Sequence, residues 1–484
     1  MSISGSLHTA LSGLHAVSRA AEVVSSNISN AMTEGYGKRE VLLSAEVLAG
    51  SGSGVRVDGV HRHADAALIG NRRLSEAQLA QVEVRAEFLS TLEAAIGMPD
   101  RPGSLSARLT EFEGALIASA SRPDSEARQL AVANAASAVA SQLNAASDSI
   151  QTERMRADQG IAQSVDSLNA TLQRISALNV DIVRFGGAAQ DPSALIDQRQ
   201  RLIDGIAELI PIREVPRDNG TMALYTPGGA ILLDGKAAEI GFSPAGLITP
   251  DMTLASTALS GLRINGQPVS TSAENGPIAG GKLAGLFALR DEHAPTAQER
   301  IDAVARDLVE RFADPAVDPT LGASDPGLFT DNGAALVPAD ELGLAGRISL
   351  NALVDPSAGG ALWRLRDGLG AAAPGDPGNA TQLNALTDAL TAARTPASGG
   401  FLVPRSAAGL MGDLLSGVSV ELQGALTEQS FARAQTDTLI GRELQGSVDT
   451  DEEMQKLLLI EQVYAANARV ISTIDEMIQT LLRL

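Results

Sequence analysis

The C-terminal stretch from Met454 to Leu484 carries a heptad repeat, and that repeat constrains the fold more than any other feature. Leu457, Tyr464, Ile471 and Ile478 form one row, and Ile460, Asn467, Ile474 and Leu481 form the row three residues on, with no Gly or Pro between them. Such a seam describes a helix that needs a second helix along its length. At about 1.5 Å per residue it reaches roughly 45 Å, and an amphipathic helix of that length does not stand alone. Its partner has to come from elsewhere in the chain or from another copy.

The opposite terminus offers one. Ile3, Leu7, Leu11, Leu14, Val17, Ala21, Val24 and Ile28 recur at spacings of three or four, the stripe of an amphipathic helix over about Ile3 to Asn30. Only Arg19 and Glu22 are charged within it, so it should be covered on more than one side. The stop is expected near Gly35, in Thr33-Glu34-Gly35-Tyr36-Gly37.

Between the termini the texture alternates. Glu40–Leu43 and Val55–Val60 read as short strands around the Gly50–Gly54 Gly/Ser segment. Helices are predicted over Ala64–Ile96, from Leu105 to near Pro123, over Ser125–Phe185 and over Ser193–Ile210, each bounded by Gly or Pro. From Ile212 to Leu289, short apolar runs alternate with Pro227-Gly228-Gly229, Asp234-Gly235 and Asn265-Gly266, the last two being hairpin signals. Helical texture returns over Thr296–Ala313, weakly at Asn379–Ala393, and over Leu410–Gly446. The reading is a mainly α chain with a β-rich inserted domain, its N- and C-terminal helices paired in coiled-coil fashion. Residues 1–36 and 449–484 make the terminal helical part, 37–211 and 291–448 an elongated, mainly helical domain that is irregular over 315–400, and 212–290 the β-rich insert.

Composition narrows the function. A net charge of −21 leaves no basic surface to displace counterions from phosphates, which argues against nucleic-acid binding and against attachment to an anionic membrane. No apolar run is long enough to span a bilayer. The N-terminus lacks the basic and apolar regions of a cleavable signal, which alone would suggest the cytoplasm. Aromatics at 3% suit helices packed through small side chains better than a small-molecule pocket. With no cysteine, disulfides and thiolate metal sites are excluded.

Nothing assembles into catalytic machinery. His61 and His63 form a His-x-His pair that a strand would turn to one face, but no third ligand is evident and no metal is expected. His8 and His15 fit a helix surface or interface. The acidic run Asp449–Glu453 lacks calcium-loop spacing and reads as a helix N-cap set against the positive end of the dipole. Gly280-Gly281-Lys282 lacks Walker spacing. No cofactor is implied.

Two polar features stand out: Asn27 and Asn30 at a helix end, and Asn467 inside an otherwise apolar seam, where such a residue fixes register. Leu11-Ser12-Gly13-Leu14 followed by Ser26-Asn27-Ile28-Ser29-Asn30-Ala31-Met32-Thr33-Glu34-Gly35-Tyr36 resembles the N-terminal motif of the axial proteins of the bacterial flagellum. Glu34 replaces that family's usual Pro, and Ser26 the first of its usual two Asn. Tyr464-Ala465-Ala466-Asn467-Ala468-Arg469-Val470-Ile471-Ser472-Thr473 with Asp475-Glu476-Met477 resembles their C-terminal signature. The helical middle, with Leu195–Asp204, Pro123–Gln129 and Gly280–Leu283 with Arg290-Asp291, is similar to the hook-filament junction members rather than to hook or rod proteins.

The resemblance implies a structural, non-enzymatic protein that self-assembles between hook and filament through its terminal helices, the β-rich insert facing outward. Assembly residues would be Ile3, Leu7, Leu11, Leu14, Asn27, Ile28, Asn30, Gly35 and Tyr36 at one end. At the other they would be Leu457, Ile460, Tyr464, Asn467, Arg469, Ile471, Ile474, Ile478 and Leu481. Implied partners are copies of itself, hook protein, the second junction protein and an export chaperone near the C-terminus. The implied location is extracellular, reached by type III export without a cleaved signal peptide. Competing readings are another axial protein, a peptidoglycan hydrolase, and a secreted adhesin whose β-rich insert does the binding.

Overall fold

A computed structural model describes residues 3–33, 35–48, 51–187, 191–272 and 275–483; Glu34, Gly50 and Leu484 lie outside them. The chain opens with α1 (Ile3–Asn30), which leads into an antiparallel hairpin, β1 (Arg39–Leu48) and β2 (Ser51–Arg62). The strands run longer than the sequence predicts and absorb register shifts at Leu42/Leu43 and Glu46/Val47, bulges that increase local twist. Four helices follow: α2 (Ala66–Ile96), α3 (Leu105–Ser121), α4 (Glu126–Gly187) and α5 (Ser193–Ala207). Their ends fall where Gly and Pro punctuate the sequence. Ser104 caps α3 by accepting from the Ala107 N–H, a bond that satisfies one of the helix's orphan donors.

The next region holds β3 (Arg213–Pro216), β4 (Met222–Tyr225), β5 (Ile231–Asp234) and β6 (Lys236–Ala237) in one antiparallel sheet. A second sheet contains β7 (Ile240–Gly241), β8 (Leu262–Ile264) and β9 (Gln267–Val269). Asp234-Gly235 turns β5 into β6 and Asn265-Gly266 turns β8 into β9, as the dipeptides predict.

Helix then begins at Gly281, earlier than the sequence predicts. Here α6 (Gly281–Ala288) passes through a π-turn at Leu289–His293 into α7 (Ala294–Ala313). Within α6, Gly285 lies against the Gln81 backbone, where an added Cβ would sit 3.1 Å from the carbonyl oxygen. Close packing against another helix therefore outweighs the poor helix propensity of glycine. The irregular tract contains β10 (Phe329–Asp331) paired with β11 (Ile348–Leu350), then α8 (Arg364–Asp367) and α9 (Thr381–Thr391). Two long helices close the chain, α10 (Ala407–Gln445) and α11 (Thr450–Leu482).

The chain divides into two compact units. One holds 1–77, 167–239 and 432–484, the other 78–166 and 240–431. The 212–290 stretch is therefore not grouped as one insert: its first sheet belongs with the terminal helices and its second with the other unit. In the second unit Phe112 of α3, Phe312 of α7 and Phe329 of β10 cluster in tilted and edge-on pairs with ring centroids 5.5–5.9 Å apart. Arg290 is fully buried there against Asp158 at 2.7 Å, and Phe242 and Phe287 face its guanidinium. A charge taken out of water this completely persists only where paired.

Candidate assembly site

In the first unit, α1 lies against α11 on one side and the β1–β2 hairpin on another, which accounts for its scarcity of charge. Asn27 links to Glu453 and Gly13 lies against Asn467, so the two helices run antiparallel in one-for-one register. Carried on to Ile3, that register reaches Met477. Leu481 lies past it and is 58% exposed.

At the other end of the pair Asn27 is a fully buried hub. Its Nδ2 donates to Glu453 Oε2 at 2.8 Å and to the Arg39 carbonyl at 2.9 Å. Its Oδ1 accepts from the Tyr36 hydroxyl at 2.9 Å and from the Arg39 N–H at 3.0 Å. An amide offers two donors and two acceptor sites, and all four are used. One side chain thereby joins the end of α1, the turn after it, the first residue of β1 and the start of α11. Asn30 makes a local bond, from its Nδ2 to the Ser26 carbonyl at 2.9 Å. Gly35 turns the chain at a φ of 74°, with the Arg201 side chain where a Cβ would go.

The acidic run caps α11 as its composition predicts: Asp449 accepts from the Asp451 and Glu452 N–H groups. Its last member does more. Glu453 is buried on Asn27, with Lys456 Nζ 3.0 Å away. Beside it Lys38 donates to Glu452 at 2.8 Å, and this bond, with that from Lys456, pushes the Glu452 carboxyl down to about 2. The heptad extended one step back from Leu457 lands on Glu453, a signal in the sequence that marks the residue as seam.

Along α11, Leu457, Ile460, Asn467, Ile471 and Ile478 are half-buried and Ile474 is buried, while Tyr464 and Arg469 are exposed. On α1, Ile3, Leu7, Leu14 and Ile28 are half-buried and Leu11 is exposed. The most covered positions are instead Ala10, Ala16, Val23 and Val24, because neighbours on two sides approach through the small residues. The hairpin is held to α1 by Ser12, whose hydroxyl accepts from the Val55 N–H at 3.1 Å.

A second cluster lies in the Leu195–Asp204 motif, to which the sequence alone assigns no structural role. Asp197, nearly buried on α5, accepts from Arg39 and Arg62 at 2.6 Å each and from the Gly37 N–H, fixing the base of the hairpin. Further along the same helix Asp204 receives Arg72 and Arg73. Gln200 bonds Arg73 and Glu214, and Arg73 also pairs with Glu214. Arg199 donates to Asn179 and to the Gly220 carbonyl, and burial pushes its guanidinium down to about 10. The Leu195–Asp204 motif is thus a clamp.

His61 and His63 do share a face, ring centroids 4.8 Å apart, with His63 on Glu40 at 2.9 Å. Among the described residues no group of three or more His, Asp or Glu is placed to hold a metal, and no helix is long and apolar enough to cross a membrane.

What α11 leaves open is a second row. Leu459, Val463, Val470 and Met477, with Ala466 and Thr473 between them, follow the same alternating spacing beside the α1-facing seam, and the four large ones are 45–60% exposed.

A family model described as the flagellar hook-associated protein FlgK helical domain matches residues 89–314. Models for the flagella basal body rod protein and for the C-terminal region of flagellar basal body rod FlgEFG proteins match 7–36 and 446–484. Flagellar hook-associated protein 1 of Bacillus subtilis is 25% identical over 98% of this chain and 97% of its own length. The protein of that name from Salmonella typhimurium is 28% identical over 49% of this chain and 44% of its own. A solved flagellar hook junction protein FlgK from Burkholderia pseudomallei aligns with a TM-score of 0.45 and 19% identity, covering 55% of this chain and 47% of that one.

Proposed function

Because this chain belongs to the flagellar hook-associated protein 1 family, whose members are structural components of the flagellum, we propose that it forms the junction between hook and filament by self-assembly of its terminal helices. The observation that carries this reading is the uncovered second row on α11. A helix whose first seam is already occupied by α1 has no use for a second heptad row unless another helix packs there. The row borders the seam, so a further helix would extend the existing pair into a larger bundle, and copies of this chain are the natural source. In this reading the neighbours along the axis are hook protein and the second junction protein, and an export chaperone engages near the C-terminus. The working location is outside the cell, and no catalysis is involved.

The test is the double substitution Val463→Glu and Val470→Glu. Both positions are about half exposed, at 48% and 45%, so the isolated chain should keep its helicity and its melting temperature within a few degrees, as surface changes usually do. Assembly should fail: cells carrying the variant should have hooks without attached filaments. Normal filaments would refute the proposal.

A further inference from the structure

The second unit contains a cavity of about 300 Å³ where α2, the α7 region and α10 meet. Its floor is apolar and buried, formed by Phe88, Leu92, Ile96, Ile301, Leu414 and Val418. Close-packed interiors rarely leave such a volume, and the composition of the chain does not foretell it. One wall is different in kind, with Arg85, His293, Arg300 and Glu421 at the rim. Arg300 and Glu421 neutralise one another at 2.7 Å. Arg85 is not so engaged: the carboxylate it pairs with, Glu428, stands 3.6 Å away, longer than a hydrogen bond, and both side chains are partly exposed. Burial of its ring, with the charge of Arg85 beside it, pushes His293 below its ordinary range.

We infer that this cavity is a binding site for an anionic amphiphile with a single hydrocarbon chain, its head group at Arg85 and His293 and its tail on the floor between α2, α7 and α10. The volume sets the length: at roughly 30 Å³ per water-sized group it holds about ten heavy atoms. An apolar floor with polar groups gathered at one end is a usual construction of a small-molecule site, and a cation with a spare hydrogen-bonding fork suits a carboxylate or sulfate head. Arg300 and Glu421, satisfied by one another, would frame the mouth without competing for the head group.

The test is calorimetric titration of the full chain with decanoate, decyl sulfate and uncharged decanol. The expected result is saturable binding of both anions at one site per chain, at least about tenfold weaker for decanol, and weakened to a similar degree by Arg85→Gln. Val418→Phe, which fills the floor, should abolish binding while leaving helical ellipticity intact. Should that variant misfold, Ala297→Leu on the cavity wall narrows the same space more gently. The inference is overturned if neither anion saturates, if decanol binds as well as decanoate, if neither filled variant weakens binding, or if binding coincides with loss of helix.

Discussion

Asn27 shows how much one buried amide can hold together. Truncation to Ala would take one partner each from the buried Glu453 carboxylate and the Tyr36 hydroxyl, which keep Lys456 and Ser26, and would remove the side-chain partner of both backbone polar groups of Arg39. Groups left buried without partners cost about 1–3 kcal/mol each, less where water can enter, so Asn27→Ala should cost on the order of 3 kcal/mol. Asn27→Asp keeps the shape but sets a second carboxylate against Glu453, and like charges at that range disfavour ionisation of both. It should therefore be the worse of the two at pH 7. The difference should shrink as the pH falls toward 4, where a protonated carboxyl can again donate. Urea denaturation of both variants at two pH values checks this; equal stabilities at pH 7 would mean that Glu453 does not sense the charge. The sequence marks Asn27 as unusual but not its main partner, because Glu453 lies 426 positions away and no local pattern records that separation.

Among elements, the pairing of α1 with α11 depends on a small residue. A Cβ added at Gly13 would come 3.1 Å from the amide of Asn467, so the helices touch there with nothing to spare. Replacing Gly by Ala inside a helix gains about 1 kcal/mol of propensity, and here the crowding opposes that gain. Gly13→Ala should be near neutral, Gly13→Leu should loosen the pair by about 1–3 kcal/mol, and Gly13→Ala combined with Asn467→Ala should be more stable than the sum of the two single changes. Additive effects would show that the contact carries no strain. Most elements are legible for a plain reason: Gly, Pro and capping residues sit where helices end, and the heptad names its own face. The helix from Gly281 is not, because Gly285 serves a close approach that only the folded chain reveals. The clamp on α5 is not legible either, since Asp197, Gln200 and Asp204 find their partners on other elements.

At the scale of the whole molecule, the terminal helices and the α5 clamp belong to one unit, and the larger aromatic core to the other. The two resist different injuries. Removing residues 454–484 takes away the seam and the uncovered row but spares Asp449, Glu453 and every residue of the second unit. On exposure, α1 would lose its apolar cover, and the first unit should become locally looser while the second keeps its cooperative melting. In cells the expected outcome is truncated chain recovered in the medium, bare hooks, and filament protein shed unassembled. Recovery in the medium separates a failure to assemble from a failure to leave the cell. Filaments of normal length on such cells would mean that the C-terminal helix is dispensable, and would move the assembling surface to α1 and the hairpin, where Leu11, Leu42, Leu43 and Val57 are exposed. The Val463→Glu and Val470→Glu variant then decides between the loss of a helix and the loss of a face: it keeps α11 on α1 and removes only the second row. If the truncation and the double variant fail alike, the second row is what the junction requires of this helix.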